Sequence, residues 1–270
     1  MKVILITGAS SGIGRSAAME LLSKGHRVYA AARRVERMQD LVDAGAVALR
    51  LDVTSEKDCR EAVEAVLNAE GRIDVLVNNA GYGYFGALET VNMEEARRQF
   101  DVNVFGLARL CQLVLPSMRE HGDGRIINVA SMAGHFCEPR GEWYHATKYA
   151  VVALSECMRP ELRPFGVKVI LIEPGAIRSS WCDIAMDNME QCSRGTVYEA
   201  GAASHSRMFR WAYSHFSSDP SVIGRAICRA ALSRRPRVRY RRGFGSKLFP
   251  FFSRILPSRA FDALLVRLFG

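Results

Sequence analysis

Val3-Ile4-Leu5-Ile6-Thr7-Gly8-Ala9-Ser10-Ser11-Gly12-Ile13-Gly14 is the stretch from which the rest of the chain can be read. Val3–Thr7 is a short apolar run, the pattern of a parallel strand covered on both faces. The glycines stop it too early for the apolar centre of a secretory signal. Gly12 opens a helix to Leu22, and Gly25 suits its left-handed stop. Glycines between strand and helix allow a tight turn, and the free N–H groups at the helix start face an anion such as a pyrophosphate. A turn of this kind on its own is also found with no ligand at all.

Working outward, strand and helix patterns alternate. Arg27–Ala32, Ala46–Leu51, Ile73–Val77, Arg125–Val129 and Val167–Ile172 read as strands. Glu36–Ala44 reads as a helix, and Ser55, with Asp58 three residues on, caps another to about Ala69. Asn92 opens a long helix toward Arg119; Tyr144–Arg163 is helical, with a kink or end near Pro160. Asp219-Pro220 starts a helix to about Leu232. The alternation predicts an α/β fold with a doubly wound parallel sheet and the ligand crevice at the strand C-termini. Residues 175–218 lack a sustained period and are expected to form a mobile substrate loop with short helices.

The chain of 270 residues is long enough for one large domain. Its expected parts are a core at 1–175, a substrate loop and helix at 176–232, and a basic, apolar, helical C-terminal extension at 233–270. The seven cysteines are scattered, with no CxxC pair, so neither a disulfide framework nor a zinc site is indicated, and a reducing cytoplasm fits. The formal charge of +9 is uneven. From Arg225 onward there are twelve Lys or Arg and one acid, Asp262, leaving 25 bases against 27 acids before it. The main domain therefore gives no sign of nucleic-acid binding. His135, His145 and His205 fit no helical metal pair, and no metal is expected.

The glycine spacing is TGxxxGxG rather than GxGxxG. Asn78-Asn79-Ala80-Gly81 follows the fourth strand, Tyr144-His145-Ala146-Thr147-Lys148 opens a helix, and Pro174-Gly175 follows the sixth strand. In these four motifs, over about Lys2–Gly175, the sequence resembles the short-chain dehydrogenase/reductase family. The resemblance implies a Rossmann-type fold, an oxidoreductase acting on a carbonyl or secondary alcohol, and a homodimer or homotetramer built on the two long helices. It implies that Gly8, Ser10, Ser11, Gly12, Ile13, Gly14, Asn79, Ala80 and Gly81 hold a nicotinamide dinucleotide. It further implies that Asp52 and Val53 contact the adenine and that Asn78 braces the sheet. Pro174, Gly175 and Ile177 would sit at the nicotinamide end. Ser179 stands near the position of a family threonine that contacts the carboxamide, so the hydroxyl is kept and the exact contact is open.

The second strand bears on the choice of cofactor. An acid at its end would accept bonds from a free ribose 2′-hydroxyl. Here Ala30-Ala31-Ala32 runs into Arg33-Arg34, and a guanidinium pairs with a 2′-phosphate instead, so NADP(H) is expected over NAD.

Tyr144 and Lys148 are four residues apart and share a helical face. An ordinary phenol ionises near pH ~10, and a neighbouring ammonium is expected to lower that. The phenol would exchange a proton with the substrate oxygen. As in the family, Lys148 would also hold the nicotinamide ribose. Ser131 lies thirteen residues before Tyr144, and its hydroxyl would polarise the carbonyl. Asn103 matches the family asparagine whose backbone holds a water linking the lysine to solvent. Asn103, Ser131, Tyr144 and Lys148 form the complete family set. A pure dinucleotide sensor or a membrane-associated scaffold, the competing readings, would need no such array.

Residues 135–143 before the tyrosine are expected to wall the substrate pocket, with Gly83, Tyr84 and Phe85. Ile177, Trp181, Met186 and Met189 would form a lid, and Cys137 and Cys182 are candidate liners. The aromatic and Met content suggests a lipophilic small molecule such as a steroid, retinoid-like, fatty or aromatic carbonyl. Simple packing of the lid against the core explains it about as well. The basic, apolar tail, with breaks expected at Pro250 and Pro257, has two readings. One is peripheral attachment to an anionic membrane. The other, favoured because apolar residues at helical spacing pack inward, is a cover for the pocket or a subunit interface.

Overall fold

The computed structural model describes residues 1–269. Its strands are β1 (Val3–Thr7), β2 (Arg27–Ala32), β3 (Val47–Arg50), β4 (Val75–Asn78), β5 (Gly124–Val129), β6 (Val167–Pro174) and β7 (Arg239–Arg242). They form one sheet in the order β3-β2-β1-β4-β5-β6-β7, and every pairing is parallel. The chain starts mid-sheet, runs to one edge and returns to β4. The strand order thus reverses between β1 and β4, where a crevice opens at the strand C-termini.

The covering helices are α1 (Gly12–Leu22), α2 (Gln39–Asp43), α3 (Glu56–Glu70), α4 (Met93–Phe100), α5 (Gly106–Glu120), α6 (Glu142–Leu162), α7 (Trp181–Ser193), α8 (Glu199–Phe216), α9 (Ser221–Leu232), α10 (Leu248–Ile255) and α11 (Ser258–Phe269). Successive strand residues point to opposite faces. Ile4, Ile6, Val28 and Ala30 meet Ala17 and Leu21 of α1 and Ile223 and Ile227 of α9. Val3, Leu5, Tyr29 and Leu76 meet α3, α5 and α6 through Val63, Leu110 and Val151. Both faces are buried, so the strands read as continuous apolar runs.

Polar residues inside this core tie its elements together. The Asn78 side chain donates to Asn128 Oδ1 at 2.9 Å, and Asn128 donates to Ser155 Oγ at 2.9 Å, tying β4 to β5 and β5 to α6. Arg125 is buried in β5 and donates to the carbonyls of Ala230 (3.1 Å) and Ala231, serving the C-terminus of α9.

Three expectations are corrected. The helix expected from Asn92 to Arg119 is interrupted by a π-helical turn at Asp101–Phe105. Residues 175–218, expected to be a mobile loop with short helices, instead hold two regular helices, α7 of 13 residues and α8 of 18. The basic start of the tail contains a strand, β7, and Pro250 lies within the first turn of α10 rather than breaking it. Proline is tolerated there because the first helical N–H groups have no intrahelical partner.

Beyond the two sheet faces lies a third apolar layer. Phe85 and Phe136 join Met186 and Met189 of α7, Phe209 of α8, and Phe261, Leu265 and Phe269 of α11. The tail's inward face thus covers the region beside the crevice, while Leu248, Phe251, Ile255 and Val266 stay exposed. Among the described residues, no helix is long and apolar enough to cross a membrane.

Candidate active site

The crevice holds a cavity of about 750 Å³. One end is built on the first half of the sheet. Gly8, Ser10, Ser11, Gly12 and Ile13 line it from the β1–α1 turn; Arg33, Arg34, Asp52 and Val53 line it beyond β2 and β3; Asn79, Ala80 and Gly81 line it after β4. Gly14 does not reach the cavity. A Cβ there would lie 2.4 Å from the Gly8 carbonyl, so its bare backbone lets α1 pack under the turn. Asn79 holds that turn from the other side, donating to the Thr7 carbonyl at 2.9 Å and the Gly8 carbonyl at 3.2 Å.

These residues fit a dinucleotide. Ser11 makes no side-chain cap on α1, so the first N–H groups of the helix are left for an anion. Arg33 and Arg34 are exposed at the cavity edge, and neither pairs with an acid among the described residues.

The other end gathers three of the four residues expected to take part in the reaction. Ser131, Tyr144 and Lys148 line the same cavity with Pro174, Gly175, Ile177 and Ser179. Ser131 follows β5 and accepts from the Ala133 N–H at 3.1 Å, which fixes its rotamer at the start of a short 3₁₀ turn. Tyr144 and Lys148 lie on α6, with the ammonium 5.7 Å from the ring centre. Lys148 donates to the Val129 carbonyl at 3.2 Å. An ammonium has three donors, and the two left over are free for a ligand. A Cβ at Gly175 would overlap the Phe244 carbonyl at 1.8 Å, so the chain leading into α10 lies directly against the turn after β6.

Asn103 sits in the π-turn and does not line the cavity. Its amide makes a pair of bonds with Tyr82, accepting from the N–H at 2.8 Å and donating to the carbonyl at 2.8 Å, and it also donates to Thr147 Oγ1 at 3.0 Å. It joins the loop after β4 to α6. The π-turn also breaks the regular i→i+4 ladder, with the Gly106 N–H donating to the Asp101 carbonyl.

Electrostatics depart from the expectation in one respect. Burial, only partly offset by the Ser131 hydroxyl and reinforced by the charge of Glu138, pushes the Tyr144 phenol up, where a downward shift was expected. Burial lowers the Lys148 ammonium to about 8. The protein by itself therefore keeps the phenol protonated at neutral pH, the form that donates a proton.

Of the residues expected to wall a substrate pocket, Gly83, Phe85, Phe136, Glu138, Ile177 and Trp181 line the cavity. Tyr84, Cys137, Cys182, Met186 and Met189 do not; Cys137 faces outward, and Cys182, Met186 and Met189 are buried in the third apolar layer. Sequence reasoning missed Tyr82, Ile184, Phe209 and Tyr213. Of the three histidines, His135 bonds Glu173 at 2.7 Å, His145 bonds the carbonyls of Ala133 and Phe136, and His205 is buried beside Phe269. No cluster among the described residues could hold a metal.

The short chain dehydrogenase family model matches residues 2–190. A probable short-chain type dehydrogenase/reductase, VdlC, of Helicobacter pylori is 34% identical over 96% of this chain and 95% of its own length. A 3-ketodihydrosphingosine reductase of Bacteroides thetaiotaomicron is 36% identical over 90% of this chain and 88% of its own. Among solved structures, a short-chain dehydrogenase from Streptomyces avermitilis superposes with a TM-score of 0.81 at 34% identity, covering 99% of this chain and 96% of the other. A Burkholderia phymatum relative in complex with NAD gives 0.77 at 27%, covering 88% of each chain. The closed form of a serine dehydrogenase complexed with NADP+ gives 0.73 at 28%, covering 88% and 91%. The chain belongs to the short-chain dehydrogenase/reductase family. It is an NAD(P)-dependent oxidoreductase acting on CH–OH groups and their carbonyl counterparts.

Proposed function

We propose that the protein is an NADP(H)-dependent carbonyl reductase or alcohol dehydrogenase for a lipophilic substrate. The observation that carries this reading is the meeting of Ser131, Tyr144 and Lys148 in one cavity whose far end presents Arg33 and Arg34. The dihydronicotinamide, when bound, supplies the hydride. Ser131 donates a hydrogen bond to the substrate oxygen and disperses its developing charge. Tyr144 gives its phenolic proton to that oxygen in reduction and takes it back in oxidation. Lys148 binds the ribose and neutralises the phenolate left behind. The π-turn at Asn103 offers a carbonyl to a water that returns a proton to Lys148. Arg33, helped by Arg34, pairs with the 2′-phosphate.

The aromatic wall of Phe85, Phe136, Trp181 and Phe209 supports a lipophilic substrate. The relative named for 3-ketodihydrosphingosine supports a ketone. A homodimer or homotetramer on α5 and α6 would cover Phe105 and Tyr149, which are exposed in the single chain. A cytoplasmic location fits the seven free cysteines.

Tyr144→Phe tests the reading. Turnover of a responsive ketone should drop by ~10²–10⁴-fold, the usual share of general acid catalysis, while NADPH binding by fluorescence titration persists. Full turnover in that variant would remove Tyr144 from the chemistry.

A further inference from the structure

The tail carries apolar side chains on its outside as well as beneath it. In α10, Phe249 and Phe252 pack against the third apolar layer. Leu248, Phe251 and Ile255 recur at helical spacing and face outward from the same helix. A helix that is apolar on both sides belongs in an interior or against lipid. The outer stripe extends along the chain before it and across to α8: Phe244 stacks on Phe216 at 4.9 Å, and Phe216 meets Trp211 edge-on at 5.6 Å. These six side chains are each between 44% and 57% exposed. None of them lines the crevice. Single exposed apolar residues are ordinary, whereas a run of neighbours marks a contact site.

The charge around the stripe narrows the partner. Between Asp219 and Asp262 the chain has no acidic residue. Arg242 stands just before Phe244, and Lys247 and Arg254 adjoin Leu248 and Ile255. None of these three bases pairs with an acid among the described residues, and Asp219 is itself held by Arg178 at 3.5 Å. A second copy seated face to face on this surface would set the cations against their own copies, which argues against self-association here. An anionic bilayer answers both features: its headgroups attract the cations, and its acyl region takes up the apolar side chains. Long basic side chains beside an apolar stripe keep their charges at headgroup level, and a tryptophan such as Trp211 suits the same depth.

We propose that the outer face of α10, continued by Phe244, Phe216 and Trp211, is a docking surface for an anionic membrane, on which the protein rests without crossing it. The proposal does not depend on the cofactor or substrate assigned to the crevice. It does bring the two sites together: Phe249, on the inner side of α10, stacks at 5.2 Å on Phe136 of the cavity wall. A docked molecule thus holds that wall one helix away from the bilayer, where lipophilic compounds collect.

The test is co-sedimentation of the full chain with vesicles of phosphatidylcholine alone or with about 30 mol% phosphatidylserine. The wild type should bind the mixed vesicles tenfold or more tightly than the neutral ones, and about 0.5 M salt should remove most of that difference. Phe251→Ser combined with Ile255→Ser should weaken binding to the mixed vesicles tenfold or more. Lys247→Glu combined with Arg254→Glu should abolish the preference for the anionic lipid. All four positions are exposed, so unfolding midpoints of both variants should match the wild type. Absence of wild-type binding, or equal binding by the wild type and the Phe251 and Ile255 variant, would overturn the proposal. So would a fall in oligomer mass by light scattering in that variant, which would assign the face to a second copy. Binding of a single-stranded oligonucleotide in place of the vesicles would assign it to nucleic acid and end the membrane reading as well.

Discussion

Burial leaves the Lys148 ammonium within reach of ionisation, and this has a consequence for stability. Its pKa in the folded chain is about 8 against 10.5 for the free side chain. Below pH 8 both states carry the proton, and the folded state bears the full cost of burying the charge. Between pH 8 and 10.5 the unfolded chain binds more protons, so this group's contribution to stability rises with pH. Lys148→Met should therefore abolish turnover yet raise stability at pH 7 by up to about 3 kcal/mol. The gain should shrink toward zero near pH 10. Denaturant unfolding at the two pH values checks this, and a variant less stable at pH 7 would contradict it. At the cavity's other end, Arg33→Ala should weaken NADPH ~10–100-fold, the worth of a charge-assisted hydrogen bond, and NADH far less. Equal losses in the two titrations would argue against a phosphate clamp.

Elements differ in how much of themselves their own sequence reveals. The β1–α1 turn and the Tyr144–Lys148 helix were legible because their chemistry demands fixed spacing between neighbours. In α7 the periodicity was present: Cys182, Ala185, Met186 and Met189 are the buried face. In α8 the corresponding face is Ala202, His205, Ser206 and Phe209, and two polar residues in core positions disguised it. β7 could not be read locally. Arg239 and Arg241 look solvated in sequence, yet both bond the buried Glu173 on β6 (2.5 and 2.7 Å), a partner far back in the chain. The helices α10 and α11 supply a further prediction. A chain ending at Ser246 should keep its sheet but lose the burial of Phe261, Leu265 and Phe269, each worth about 1.5–3 kcal/mol. Unfolding should come earlier, binding of an apolar dye should rise, and KM for a bulky ketone should increase. An unchanged KM and dye signal would mean that the tail is not part of the wall.

At the scale of the molecule, the sequence predicted the doubly wound α/β architecture through β6, and the comparisons agree with it over nearly the whole chain. The distribution of charge was legible, but its use was not. Part of the basic excess after Arg225 is spent internally on Glu173 and Glu156, and part faces outward around exposed Phe251 and Ile255. The residues proposed to react line the cavity from the end of β5 and from α6, whereas its apolar wall is finished by residues beyond Gly175.

Arg140 reaches across this wall to the Phe269 carbonyl, joining a loop from the middle of the chain to its last described helix. On the ribosome that loop emerges more than a hundred residues before its partner. A nascent chain can thus complete its central strands and dinucleotide turn while Phe136, Met186 and Phe209 still face water. Apolar surface left waiting in this way is the kind chaperones recognise.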